Sequence, residues 1–175
     1  MLKQLLTRFG MISPPKIYFY GLCHVEMTTL ARTVECGRYY QHSERVQGFK
    51  FAEIRLEIDG EPLDAYIPSD TFGSFLFTRE NLPETPGGIV FVIDTTDAES
   101  MHESRRELIS LVHDTKKLSQ PILILVSTAN TDVVAECDLE EIIAEENGRI
   151  ALFTYSLPSN RFIEGFRWLV KKMEM

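Results

Sequence analysis

Leu2, Leu5, Leu6 and Phe9 fall at i, i+3, i+4 and i+7, which is one apolar stripe on a helix. Gly10 and the Ser13-Pro14-Pro15 run stop it. The period then changes. "KIYFYG" (16–21) is a short apolar run that predicts a buried strand, and 28–37 predicts a helix ending at Gly37. Residues 38–47 show no period and read as a loop. "FKFAEIRLEI" (49–58) alternates apolar and polar residues, Asp59-Gly60 supply a turn, and "LDAYI" (63–67) returns, so the stretch predicts a hairpin. Residues 68–88 are irregular and punctuated by proline and glycine. "GIVFVID" (88–94) and "PILILVS" (121–127) are continuous apolar runs, the mark of strands buried on both faces. Helices are predicted at 98–118, at 138–147 and at 160–173, the last with basic residues in its final turn, and a strand at 149–156.

Strands of the parallel, buried kind therefore alternate with helices around one hairpin. That order predicts an α/β fold: a single doubly wound, mostly parallel six-stranded sheet with one antiparallel edge strand. The expected division is an N-terminal amphipathic helix over 1–12 and one domain over 16–175, without repeats or a linker. A chain of 175 residues is long enough for one full core. The formal net charge of −8 argues against non-specific nucleic-acid binding, which needs a basic face. Cys23, Cys36 and Cys137 have no CxxC spacing and an odd count, as expected of reduced thiols in an intracellular, cytoplasmic protein. Four histidines without clustered cysteines predict no structural zinc site. No apolar run reaches the length of a spanning helix, and none forms a signal peptide.

"YGLCHVEMTT" (20–29) carries the candidate chemistry. A glycine leaving a strand and a Thr-Thr pair entering a helix frame a phosphate loop of the G-x-x-x-x-G-K-[ST] kind. Around it, "GGIVFVIDTTDAESMHESRREL", "GFKFAEIRL" and "FIEGFRWL" resemble stretches of the Arf/Arl small GTPases: a buried strand with its aspartate, the start of the interswitch hairpin, and the last helix. The resemblance runs over nearly the whole chain and includes the N-terminal stripe. It implies the P-loop GTPase fold and, for a typical member, GTP or GDP held with Mg2+. A different P-loop-like or flavodoxin-like domain is the alternative.

The polar motifs depart from that pattern. A phosphate loop needs converging backbone N–H groups, a glycine where a side chain would collide, and a lysine reaching the phosphate oxygens. Here Gly21 and Thr28 remain, but Glu26 stands for the second glycine and Met27 for the lysine. Losing a charge-assisted bond costs roughly 1.5–3 kcal/mol. A carboxylate about 5 Å from one phosphate charge adds about 3 kcal/mol at an effective dielectric near 20. Together these weaken phosphate binding by roughly several thousandfold. By the resemblance, the magnesium-binding switch threonine falls on Val46, which has no oxygen for a hard cation. The "DVGGQ" segment falls near residues 66–72, where no glutamine positions a water. Asp70-x-x-Gly73 fits DxxG off register and reads as a turn. The guanine-reading "NKxD" falls on 129–132, where Asp132 keeps its place but Ala129 and Asn130 replace Asn and Lys. The base-reading loop falls on Tyr155-Ser156-Leu157.

Two readings follow. In the first, the chain is an Arf-like pseudo-GTPase: a nucleotide-independent protein-interaction or scaffold subunit with no catalytic residues, no metal and no cofactor. It would meet a protein partner through the hairpin and the former switch surface, and Gly21, Thr28, Thr29 and Asp132 would be vestigial cofactor-binding residues. In the second, Thr28, Thr29 and Asp132 hold a guanine nucleotide weakly, with Mg2+, in intracellular trafficking. The N-terminal stripe allows weak membrane or partner contact, and packing on the hairpin is its bland role. Leu2 leaves no glycine for myristoylation. Cys23-His24 reads as loop neighbours rather than a catalytic pair, and Glu140, Glu141, Glu145 and Glu146 as a solvated helix face.

Overall fold

The computed structural model describes residues 6, 10–22, 24–38, 51–68, 86–93, 95, 98–115, 119–127, 139–144, 146, 148–156 and 162–173. Six strands form one sheet: β1 (Lys16–Gly21), β2 (Phe51–Ile58), β3 (Glu61–Pro68), β4 (Gly88–Ile93), β5 (Ile122–Ser127) and β6 (Ile150–Tyr155). The helices are α1 (His24–Cys36), α2 (Ala98–Thr115), α3 (Leu139–Ala144) and α4 (Ile163–Met173). The order across the sheet is β2-β3-β1-β4-β5-β6. Only β2 and β3 run antiparallel; β1, β4, β5 and β6 pair parallel, as does β1 with β3. The doubly wound, mostly parallel sheet expected from the sequence is the one observed.

The apolar runs become central strands because both of their faces are covered. Ile17, Phe19, Val90, Val92, Leu123 and Leu125 point to one face and pack against α1 and α4. Ile89, Phe91, Ile93, Ile122, Ile124 and Val126 point to the other, against α2 and Leu139. Alternate residues of each strand thus feed opposite cores. Close approach is tuned by glycine on α4. A Cβ at Gly165 would come within 2.8 Å of Leu123 Cδ1, so the absent side chain lets α4 lie on β5 and β6.

The hairpin turns as expected. Asp59 and Gly60 both have positive φ, 51° and 86°, the combination of a two-residue turn matched to strand twist. At the chain start, Leu6 is helical, Gly10 has φ 70°, and Met11 N–H donates to the Leu6 carbonyl at 2.8 Å. Leu2, Leu5 and Phe9 lie outside the described residues.

Two boundaries and one residue are corrected. α1 starts at His24, four residues before the expected 28. Its buried stripe is Met27, Leu30, Ala31 and Val34, at i, i+3, i+4 and i+7, so core packing extends the helix back through the supposed loop. The acidic helix is shorter than 138–147, ending at Ala144. Glu146 is no part of a solvated face: it is buried, in a turn, and bound to Arg149 with Nη2 to Oε2 at 2.7 Å. Glu140 and Glu141 are exposed as expected, and Glu145 lies outside the described residues.

Arg149 ties three elements together at the edge where the parallel strands begin. Its Nε donates to Glu146, its Nη1 to Thr115 Oγ1 at 3.0 Å and to the Gln120 carbonyl at 3.1 Å, and its Nη2 to the Val112 carbonyl at 3.3 Å. A cation on the last carbonyls of α2 also suits the helix dipole. Gln120 in turn donates to the Pro86 carbonyl at 2.6 Å. This network is structural and sits away from the strand ends that face a ligand in such folds.

Candidate functional site

In an open α/β sheet the ligand edge lies at the carboxyl ends of the strands, where the strand order reverses. Here that is the end of β1, which sends the chain to β2 and β3 on one side while β4 lies on the other. Gly21 closes β1 opposite Val92 of β4. Its φ is 147°, and a Cβ there would fall inside contact distance of the Val92 carbonyl oxygen. The glycine is therefore required by the neighbouring strand, whatever else the site does.

After Gly21 the chain enters α1 at His24. Residues 24–27, which in a phosphate loop would wrap the phosphates, have helical backbone instead. Met27 is fully buried, in one core cluster with Phe19, Leu30 and Val34. Where the lysine of a phosphate loop would reach for oxygen, this chain places a thioether in the apolar core. Glu26 is the acidic residue of the first helical turn, with its Oε2 shut off from solvent. The positive end of the helix dipole thus already has a carboxylate beside it. An incoming phosphate would meet that negative charge rather than a lysine. At the two positions where a phosphate loop needs a glycine and a lysine, the junction presents a carboxylate and a buried thioether.

Thr28 is half-buried and Thr29 buried, and the Thr29 carbonyl accepts from Thr33 Oγ1 at 2.7 Å. One neighbour was missed in the sequence. Thr95, fully buried after β4, donates through Oγ1 to the Ser127 carbonyl at the end of β5, at 3.2 Å. The Thr95-Thr96 pair following an apolar strand was the available signal. Gly21, Thr28 and Thr29 thus gather at the β1–α1 junction. Asp132, Val46, Asp70, Gly73, Ala129, Asn130 and Leu157 lie outside the described residues, as does Cys23. Among the described residues no group of His, Cys, Asp or Glu is placed to hold a metal ion. No helix of the described residues is long and apolar enough to cross a membrane.

Two side-chain pairs lie outside this junction, one beside it and one at the opposite end of the sheet. Tyr20, next to Gly21, donates to Glu107 Oε2 of α2 at 3.0 Å. Burial first, and then the Glu107 charge, hold its phenol well above the ordinary range, so it stays protonated. At the far tip of the hairpin, Arg167 of α4 grips Asp59 with Nε to Oδ2 at 2.7 Å and Nη2 to Oδ1 at 3.0 Å. The Arg167 hydrogen bonds hold the Asp59 carboxyl below its ordinary range.

No family model matches the chain. Among solved structures it is similar to the Arl6 BBS3 small GTPase of Trypanosoma brucei, which carries the bound nucleotide analogue GppNp. The TM-score is 0.70 at 16% identity, over 93% of this chain and 98% of that one. The sheet order, the single antiparallel pair and this whole-length similarity lead to one conclusion: the chain has the fold of a small GTPase.

Proposed function

We propose that this chain is an Arf-like pseudo-GTPase, a protein-interaction or scaffold subunit that works without nucleotide and hydrolyses none. The burial of Met27 in the core carries the reading. A lysine lost from a loop can be replaced by another cation; a loop turned into packed helix leaves no place for the phosphates. Glu26 adds a like charge at the helix end, and the sequence offers no magnesium threonine at Val46 and no Asn-Lys pair at 129–130. The partner is a protein, met through the hairpin and the surface around it, inside the cell.

A second reading keeps a weak guanine-nucleotide site in a trafficking protein. Its support is the retention of Gly21, Thr28 and Thr29 at one junction, but Gly21 already has a packing reason. Nucleotide content separates the two. The purified protein, denatured and run on an anion-exchange column, is expected to release no guanine nucleotide. One equivalent of GDP or GTP per chain would contradict the proposal.

A further inference from the structure

Strand β6 ends the sheet on the side away from the hairpin, with β5 as its only sheet neighbour among the described residues. The Ile122 N–H of β5 donates to the Arg149 carbonyl at 3.0 Å, and Ile122 lies opposite Ile150. In a parallel ladder a residue bonds to the two that flank its opposite number. Ala151 and Phe153 therefore direct their N–H and C=O to β5. Ile150, Leu152 and Thr154 turn theirs outward.

The composition of β6 is that of a central strand. "IALFTY" holds no charge, proline or glycine, like "ILILVS" of β5. Its exposure is that of an edge: Ala151, Leu152 and Phe153 are half-buried and Thr154 is exposed, whereas Ile122–Val126 are buried throughout. Apolar surface is thus left on both faces. Phe153 lies on the face of α4, and Leu152 on the face of Ile142 and Ile143 in α3. Natural edge strands are guarded against pairing by charge, proline, a bulge or shortness. The opposite edge follows that rule, with Glu53, Arg55 and Glu57 exposed along β2. β6 carries none of those residues and is as long as β4 and β5, at 6 residues each.

We propose that β6 pairs with an uncharged extended strand of a partner protein. The proposal rests on the reading of the chain as an interaction subunit and gives it a second surface, across the sheet from the hairpin. Main-chain bonds to Ile150, Leu152 and Thr154 would hold the strand, and apolar side chains on its two faces would cover Leu152 and Phe153. A charged residue there would lose water with no answering charge on β6. A second copy of this chain is the poorer occupant. Pairing β6 with itself about a two-fold axis keeps the faces of both sheets aligned. The two α3 helices, each with Glu140 and Glu141 exposed, would then share one face.

The first measurement is amide hydrogen exchange of the isotopically labelled full chain alone. Ile150, Leu152 and Thr154 should exchange faster than Ala151 and Phe153. Equal protection would mean that the chain covers its own edge, and would overturn the proposal. The probe is then the capped peptide Ser-Val-Thr-Phe-Thr-Val-Ser. Ordering it on binding costs affinity, so a millimolar Kd is expected. Amide shifts should centre on Ile150, Leu152 and Thr154, and their exchange should slow. Two versions, N-methylated at residues 2, 4 and 6 or at 3 and 5, separate main-chain pairing from apolar contact. Only one alternate set of N–H groups faces β6, so one version should bind like the parent and the other roughly tenfold more weakly. Thr154→Pro removes one outward donor where an edge strand accepts proline, and should weaken binding several-fold. Its melting temperature reports whether it folds, and the N-methylated pair does not depend on it. Equal binding of the two N-methylated versions, shifts centred elsewhere, tighter binding with Lys or Glu for both Val, or a dimer that protects β6 would overturn the proposal. Adding GTP and magnesium to the same sample keeps the two readings apart. A response over Gly21–Thr29 would contradict nucleotide independence and leave the edge result standing.

Discussion

Gly21 and Met27 decide how the β1–α1 junction behaves. Gly21 was legible as a loop glycine but not as a packing glycine, because the Val92 carbonyl that excludes a Cβ comes from a strand some seventy residues on. Gly21→Ala is expected to lower stability by about 2 kcal/mol or more in urea unfolding, since a positive φ and an overpacked contact both oppose it. Met27 was legible as a missing lysine; that it belongs to the core followed from its place in the stripe with Leu30, Ala31 and Val34. Met27→Lys should therefore damage the fold rather than repair a site. Burial lowers the ammonium pKa in the folded state, so the unfolded chain binds more protons and stability rises with pH toward 10. The expected cost near pH 7 is about 3 kcal/mol or more. Adding Glu26→Gly should yield no tight GTP binding by calorimetry. Arg149 was invisible as a structural residue, because its partners come from α2, the following turn and the segment before β6. Arg149→Ala strands the buried Glu146 carboxylate, and a loss of roughly 3–5 kcal/mol is expected in the same unfolding assay.

Elements were legible wherever one signal acted alone. The buried strands followed from apolar runs, and the hairpin from alternation around Asp59-Gly60. The start of α1 was misplaced because two signals competed: motif spacing asked for a loop through 27, and apolar periodicity asked for helix. Packing decided it, since a fully buried methionine is worth about 1.5–3 kcal/mol. The link between hairpin tip and C-terminal helix was beyond sequence reading, as Asp59 and Arg167 are 108 residues apart. It has a pH signature. The Asp59 carboxyl titrates below the ordinary range because Arg167 bonds its charged form. The folded value lies below the unfolded one, so the link contributes above the ordinary carboxylate pKa and is lost as pH falls through the lowered value. In Arg167→Gln, carboxyl-carbon NMR should show Asp59 titrating at its ordinary value. An unchanged midpoint would mean the pair is not formed in solution.

At the scale of the molecule, scaffold and site separate. The apolar frame that makes a small-GTPase sheet is intact, and it was readable because burial on two faces leaves an unmistakable pattern. The site was readable only as departures at Glu26 and Met27, whose meaning depends on packing that no local pattern states. A fold shared with a nucleotide-bound GTPase does not carry the nucleotide with it. The direct test is the melting temperature of the full chain, measured alone and with millimolar GTP or GDP, each with magnesium. A ligand at 100 times its Kd stabilises by about 2.7 kcal/mol, which for a domain of this size is a shift of several degrees. The account predicts the same melting temperature in every condition. A magnesium-dependent rise with a guanine nucleotide, absent with ATP, would contradict it.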